Sequence, residues 1–125
     1  MNDTDIRRLL EHHWASQPDQ DAVHEIYDPN VRVDFPQSGE CILGRDNLKA
    51  MRSVYPADVT FVLRRIRGAG TVWVTELDVT YNGATTIYGA SIMEFEHDKV
   101  VRETIYFGDP FEAPAWRAQW VETNR

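Results

Sequence analysis

A single cysteine, Cys41, stands in a chain of 125 residues. No intrachain disulfide can form, and no thiolate cluster can hold a metal. With no activating base beside it in sequence, Cys41 reads as a plain buried or half-exposed thiol. Basic residues are scarce too: 13 Lys and Arg stand against 20 Asp and Glu, a net charge of −7. That argues against a nucleic-acid binder, whose phosphate contacts need a clustered basic face. Arg64, Arg65 and Arg67 lie on a short strand without basic neighbours and read as a solvated edge. No apolar run approaches a membrane span, and the N-terminal MNDTDIRRLLEHHW holds no signal-peptide core. A cytoplasmic protein without a membrane partner is expected. There is no Gly-rich phosphate loop, no Ser-His-Asp order and no cofactor fingerprint. Adjacent His12 and His13 cannot easily share one metal, and His24 and His97 lack a supporting carboxylate pattern. Neither a cofactor nor a metal is therefore expected.

What is present suits an ordinary folded domain. Hydrophobic residues make up 42% and charged residues 26%, and the length fits one domain over residues 1–125. Asp3 or Thr4 can cap a first helix reaching about Ser16, with Ile6, Leu9, Leu10, His13 and Trp14 as its buried stripe. Gln17-Pro18-Asp19 breaks it. A short second helix over residues 21–27 carries Val23, Ile26 and Tyr27 on its apolar side. Asp28-Pro29-Asn30 reads as a turn and residues 31–35 as a strand, ended by Pro36-Gln37-Ser38-Gly39. Gly44 opens a third helix to about Val54. Leu48, Met51 and Arg52 lie along one side, the Arg52 stem covering apolar surface. Strands follow over residues 61–67 and 71–81, and Asn82-Gly83 signals a two-residue hairpin. Near the end, Trp116 and Trp120 share one face of a short helix begun at Pro114. They read as a lid over the sheet or as part of a subunit contact.

The stretch that organises the chain is residues 85–107, TTIYGASIMEFEHDKVVRETIYF, two long strands joined at His97-Asp98-Lys99. Alternation places Ile87, Gly89, Ser91, Met93 and Phe95 on one face, and Val101, Glu103, Ile105 and Phe107 on one face of the next strand. Both sets are mostly apolar, with Ser91 and Glu103 as polar exceptions. A carboxylate among core-facing residues is costly unless it is paired or used. Burial disfavours a charged carboxylate, which suits a proton shuttle near neutral pH. Glu103 is thus the leading catalytic candidate. Its alternative is an ion pair with Arg102 or Arg117. Helices segregated to one side of a curved, mainly antiparallel sheet give an α+β fold with room for a cavity at the wide end.

Three segments carry a family resemblance: IYDPNVRVDFP, GRDNLKAM and EFEHDKVVRETIYF, followed by the ending GDPFEAPAWRAQWVE. In this order and spacing the chain resembles the nuclear transport factor 2-like superfamily, and within it the SnoaL-like group. The resemblance implies a cone-shaped α+β barrel with an interior pocket, often dimeric through its outer sheet face. Members include polyketide cyclases, ketosteroid isomerases, epoxide hydrolases, dehydratases and non-catalytic binders, so fold settles little about activity. The isomerase residues are not matched: Phe35 stands at the place of the Asp base, Glu11 at that of the helix Tyr, and Ser91 at that of the second Asp. Arg32 and Asp34, which would echo the epoxide hydrolases, face away from Phe35. The His and Asp of the SnoaL cyclases find only Glu103 and, beyond the strand, Asp109.

His13 is the second catalytic candidate, because its stripe faces the cavity in this fold; a core histidine bound to a backbone carbonyl is the other reading. A Glu103–His13 pair sharing one cavity would titrate as a unit. Phe35, Trp73, Tyr81, Met93 and Phe107, with Tyr27 and Ser91, would line a pocket for a small apolar molecule, or else form plain core. Outward-facing Val72, Val74, Tyr88, Ala90, Ile92, Val100 and Tyr106 argue for a homodimer through the outer sheet face. Two function classes follow. One is a cofactor-independent isomerase, cyclase or dehydratase acting by acid–base chemistry on an apolar cyclic substrate. The other is a non-catalytic ligand-binding, dimerisation or protein-interaction module.

Overall fold

Asn2, one residue ahead of the expected caps, starts the first helix. Its side chain accepts from the Asp5 N–H at 2.9 Å, and its own N–H donates to the Asp5 carboxylate at 3.2 Å. This reciprocal box satisfies two free donors of the first turn. The computed structural model describes residues 1–16 and 19–123; the break expected at Gln17-Pro18 lies outside them. Helix α1 spans Asp3–Ala15 and buries Ile6, Leu10, His13 and Trp14. Helix α2 is a single turn, Gln20–His24, capped by Asp19. Tyr27 does not close it, as the periodicity suggested. It opens strand β1, Tyr27–Phe35, where it pairs with Val100. Residues 28–30 are strand too, bulged rather than turned. The register slips between Tyr27 and Arg32, so Pro29 falls at the irregularity, where a missing N–H costs no ladder bond.

The presumed strand end at Pro36-Gln37-Ser38-Gly39 is instead a turn into a further strand, β2, Glu40–Leu43, antiparallel to β1. Helix α3 covers Arg45–Ser53. Four long strands follow: β3 Val59–Ala69, β4 Val72–Tyr81, β5 Thr85–Glu96 and β6 Lys99–Gly108. Asn82 and Gly83 turn β4 into β5 with φ of 52° and 68°, the left-handed pair a type I′ turn needs. Three residues separate the first paired positions, Tyr81 and Thr85.

The six strands lie in the order β2-β1-β6-β5-β4-β3. Among the described residues β1 and β6 run parallel and the other neighbours antiparallel. The sheet is curved but not closed, since β2 and β3 end it on either side; the barrel implied by the resemblance is an open one. Helix α1 packs on β3 and α3 on β1. Between helices and sheet lies a core that includes Leu10, Leu48, Val33, Trp73 and Met93, each at most 1% exposed. Gly68 is required beside Trp73. A Cβ there would fall 2.6 Å from the indole and 2.5 Å from the Val72 carbonyl.

Strand β6 departs from simple alternation. Glu94 pairs with Arg102 and Phe95 with Val100, leaving Val101 as the extra residue of a bulge. Val100, expected on the outer face, is therefore fully buried, and Val101, expected to share the Glu103 face, is only half-buried. The arginines of β3 face the acids of β4: Arg64 pairs with Asp78, and Arg65 and Arg67 with Glu76. Beyond β6 the chain forms a 3₁₀ turn, Ala115–Trp120, not an α-helix. Trp116 and Trp120 are 75% and 72% exposed, so neither forms a lid over its own sheet. Cys41 is exposed as well. Among the described residues no helix is long and apolar enough to cross a membrane.

Candidate functional site

Four elements bring their side chains to one buried point. Strand β6 supplies Glu103, whose carboxylate is inaccessible to solvent. Strand β1 supplies Tyr27, whose hydroxyl donates to Glu103 Oε1 at 2.6 Å. Strand β5 supplies Ser91, whose hydroxyl donates to Oε2 at 2.6 Å. Helix α3 supplies Arg52, with Nη2 3.6 Å from Oε1 and Nη1 donating to the Tyr27 hydroxyl at 3.2 Å. The guanidinium also lies over the Tyr27 ring, 5.5 Å from its centre. Both carboxylate oxygens are thus occupied, and the buried charge has a partner of opposite sign.

Arg102 and Arg117 are not that partner. Arg102 meets Asp34 at 2.9 Å on the outer side of the sheet. Arg52 reaches inward because the face of α3 that buries Leu48 also carries residue 52, one turn further on. Burial works against its charge, yet Tyr27 and Glu103 outweigh it and hold its pKa above the ordinary arginine value. Burial, followed by the Glu103 charge and hydrogen bond, pushes the Tyr27 phenol well above its ordinary range despite the opposing Arg52 charge. Tyr27 therefore stays a protonated donor.

Two histidines flank the cluster. His24 Nδ1 lies 2.5 Å from the Gln20 carbonyl and Nε2 lies 3.4 Å from Arg52 Nη1. A carbonyl can only accept and a guanidinium can only donate, so this is the neutral ring with its proton on Nδ1. Burial, then the Arg52 charge after the partly opposing backbone bond, lowers the His24 pKa. His13 is 1% exposed. Burial and the Arg52 charge lower its pKa to about 3. Its ring stands edge-on to Tyr27 at 5.8 Å, and Nδ1 has no hydrogen-bond partner among the described residues. The expected Glu103–His13 pair does not meet directly: both carry contacts to Tyr27, and the acceptor oxygens of Glu103 go to other groups.

A cleft of about 500 Å³ opens between the end of α3 and the ends of β1 and β6. Phe35, Ile105, Phe107 and Met51 give it apolar walls. Arg52 also lines it, while Glu103, Tyr27 and Ser91 lie fully buried. Arg52 is thus the inner end of the cleft, in contact with the buried cluster behind it. The mouth is held by Gln37, whose amide clasps Phe107 at both ends, accepting from its N–H at 2.5 Å and donating to its carbonyl. Of the pocket residues expected from sequence, Phe35 and Phe107 line this cleft. Tyr27 and Ser91 anchor Glu103, and Trp73 and Met93 are cross-strand neighbours in the core. Sequence reasoning missed Arg52 and Gln37. The signal for Arg52 was present: a charge on a buried helix face, opposite in sign to the buried carboxylate. Among the described residues no three of His, Cys, Asp and Glu gather as a metal site requires.

A six-stranded, curved, open sheet with N-terminal helices is the nuclear transport factor 2-like architecture. The chain belongs to the SnoaL-like domain family, whose sequence model matches residues 6–103. A nuclear transport factor 2-like protein of unknown function from Burkholderia xenovorans LB400 is 51% identical over 98% of both chains, with a TM-score of 0.91. A protein from Kribbella flavida DSM 17836, proposed as a ketosteroid isomerase, shares 22% identity over 95% of this chain and 89% of its own, with a TM-score of 0.86. An epoxide hydrolase from M. tuberculosis shares 16% over 83% of each chain, with a TM-score of 0.70. These last two likenesses are of fold. No functionally curated protein matches the chain in sequence.

Proposed function

We propose that this protein binds a small organic molecule with an apolar body in the cleft between α3 and the ends of β1 and β6. One observation carries the reading: an apolar-walled cleft ends on Arg52, whose guanidinium is braced from behind by buried Glu103 and Tyr27. Apolar walls with a few fixed polar groups are the usual composition of a ligand site, and about 500 Å³ lies within the usual range of size. Phe35 and Phe107 supply contact area and Arg52 supplies orientation. Tyr27, Ser91 and Glu103 keep Arg52 in place.

Cofactor-independent acid–base turnover, as in an isomerase, cyclase or dehydratase, is the second reading. It draws on the same buried carboxylate and on fold relatives described as an epoxide hydrolase and a proposed ketosteroid isomerase. It requires Glu103 to meet substrate past Arg52, with His13 and Tyr27 behind it. Binding without turnover requires no such exchange, and the geometry favours it.

A panel of cyclic ketones, lactones and aromatic amines tests the pocket, by methyl and aromatic NMR on the full chain. Shifts confined to Met51, Ile105, Phe35 and Phe107 support it. A panel that moves none of these signals overturns it.

A further inference from the structure

Arg52 is the one cation among the residues that line the cleft. A guanidinium carries its N–H donors in a rigid plane. Its end-on edge here faces the buried cluster. Nη1 donates to the Tyr27 hydroxyl at 3.2 Å and lies 3.4 Å from His24 Nε2. Nη2 stands 3.6 Å from Glu103 Oε1, an ion-pair contact longer than a hydrogen bond. What remains is the side edge, Nε together with Nη2. Neither atom has a hydrogen bond among the described residues, and neither is sealed from solvent. The side chain keeps 23% exposure and lines the cleft, so this edge is open to a ligand there.

Two other polar side chains of the wall are committed elsewhere. Gln37 holds Phe107 with both ends of its amide, and the Ser38 hydroxyl donates to the Phe35 carbonyl. Parallel N–H bonds from one guanidinium edge match the two oxygens of a carboxylate. The cluster behind holds the opposite edge, so the open one is set in place before a ligand arrives. Phe35, Ile105 and Phe107 offer apolar contact to the rest of such a molecule.

We infer that the ligand of this cleft is a small organic acid, its carboxylate held side-on by Arg52 Nε and Nη2 and its apolar body against Phe35, Ile105 and Phe107. This rests on the cleft being a ligand pocket. The net charge of −7 works against an anion at long range, an effect that salt screens, whereas the paired bonds act at contact.

Three probes of one shape test it by NMR titration of the isotope-labelled full chain: para-toluate, para-methylacetophenone and para-cymene. Para-toluate is expected to bind roughly fivefold tighter than the ketone, the scale by which a charged pair of hydrogen bonds exceeds a neutral one. It is also expected to move the Arg52 Nε–H signal downfield, which para-cymene should not do. Arg52→Lys keeps a positive charge opposite Glu103 and removes the planar edge. That variant is expected to lose the preference for para-toluate while binding para-cymene as before. Equal or tighter binding of the ketone overturns the acid and leaves the pocket standing. So does bound para-toluate that leaves the Arg52 Nε–H signal in place. A full preference retained in Arg52→Lys overturns the side-on contact. If no probe moves the signals of Phe35, Met51, Ile105 and Phe107, the pocket falls, and the inference with it.

Discussion

Tyr27 and Glu103 lie 76 positions apart in sequence and are joined by a 2.6 Å hydrogen bond in the interior. The bond exists because β1 and β6 are parallel neighbours, Tyr27 pairing with Val100 and Val33 with Glu103. It gives a buried carboxylate one of its donors and fixes the phenol that Arg52 rests on.

Tyr27→Phe keeps the ring and removes that hydroxyl. Glu103 Oε1 and Arg52 Nη1 each lose a partner. The expected loss is about 1–3 kcal/mol of stability, the scale for leaving buried polar groups unmade. Urea denaturation measures it, and an unchanged midpoint would show that the cluster does not brace the fold.

Glu103→Gln tests pairing and chemistry together. It leaves the Arg52 charge without its counter-ion, a change that costs about 3–5 kcal/mol at fully buried sites. A loss of about 3 kcal/mol is expected here, because the Arg52 side chain keeps 23% exposure. If the protein turns over a substrate through this carboxyl, the rate falls on the order of 10²-fold or more. Unchanged turnover in a folded Glu103→Gln variant would remove Glu103 from the chemistry.

His13 predicts acid sensitivity. Its folded-state pKa is about 3 against 6.5 for the free side chain. Between those values the unfolded chain binds a proton that the folded one refuses, so stability falls as pH drops from about 6.5 toward 3. The His13 contribution to the slope approaches about 1.4 kcal/mol per pH unit. His24, also lowered, acts in the same direction. His13→Phe should flatten the plot of urea midpoint against pH over this window; an unaltered slope would refute the assignment.

The outer sheet face predicts self-association. Val72 and Tyr106 are 46% and 45% exposed, and Val74, Tyr88, Ala90 and Ile92 lie half-covered between them. Light scattering should give a dimer mass at micromolar concentration. Val72→Asp with Tyr106→Asp should return it to a monomer, since two buried carboxylates per copy would lack partners. A monomer mass for the unaltered chain would reject the dimer.

Glu103 was legible from alternation alone, since Ile105 and Phe107 follow it on the same parity. So were the Asn82-Gly83 turn and the stripe of α1, because turns and amphipathic faces are local properties. Tyr27 was misread as helical because Val23, Ile26 and Tyr27 fit a helical period. What makes Tyr27 a strand residue is its partner Val100, which lies far along the chain. The face of Val100 was likewise misassigned, because one extra residue at Val101 reverses the parity of everything before it.

Sequence patterning by itself determined that a carboxylate would be buried, because a period of two leaves Glu103 no outward choice once Ile105 and Phe107 face the core. It did not determine what neutralises that charge. Arg102 was the adjacent candidate, but neighbours on a strand point to opposite faces, and Arg102 meets Asp34 outside. Arg52 was placed on the buried side of α3 by helical spacing, yet its meeting with Glu103 depends on α3 packing against β1. The cleft has the same origin. Phe35, Met51, Arg52 and Phe107 come from three elements, and their convergence follows from sheet curvature, which bulges and strand pairing set together and no local pattern encodes.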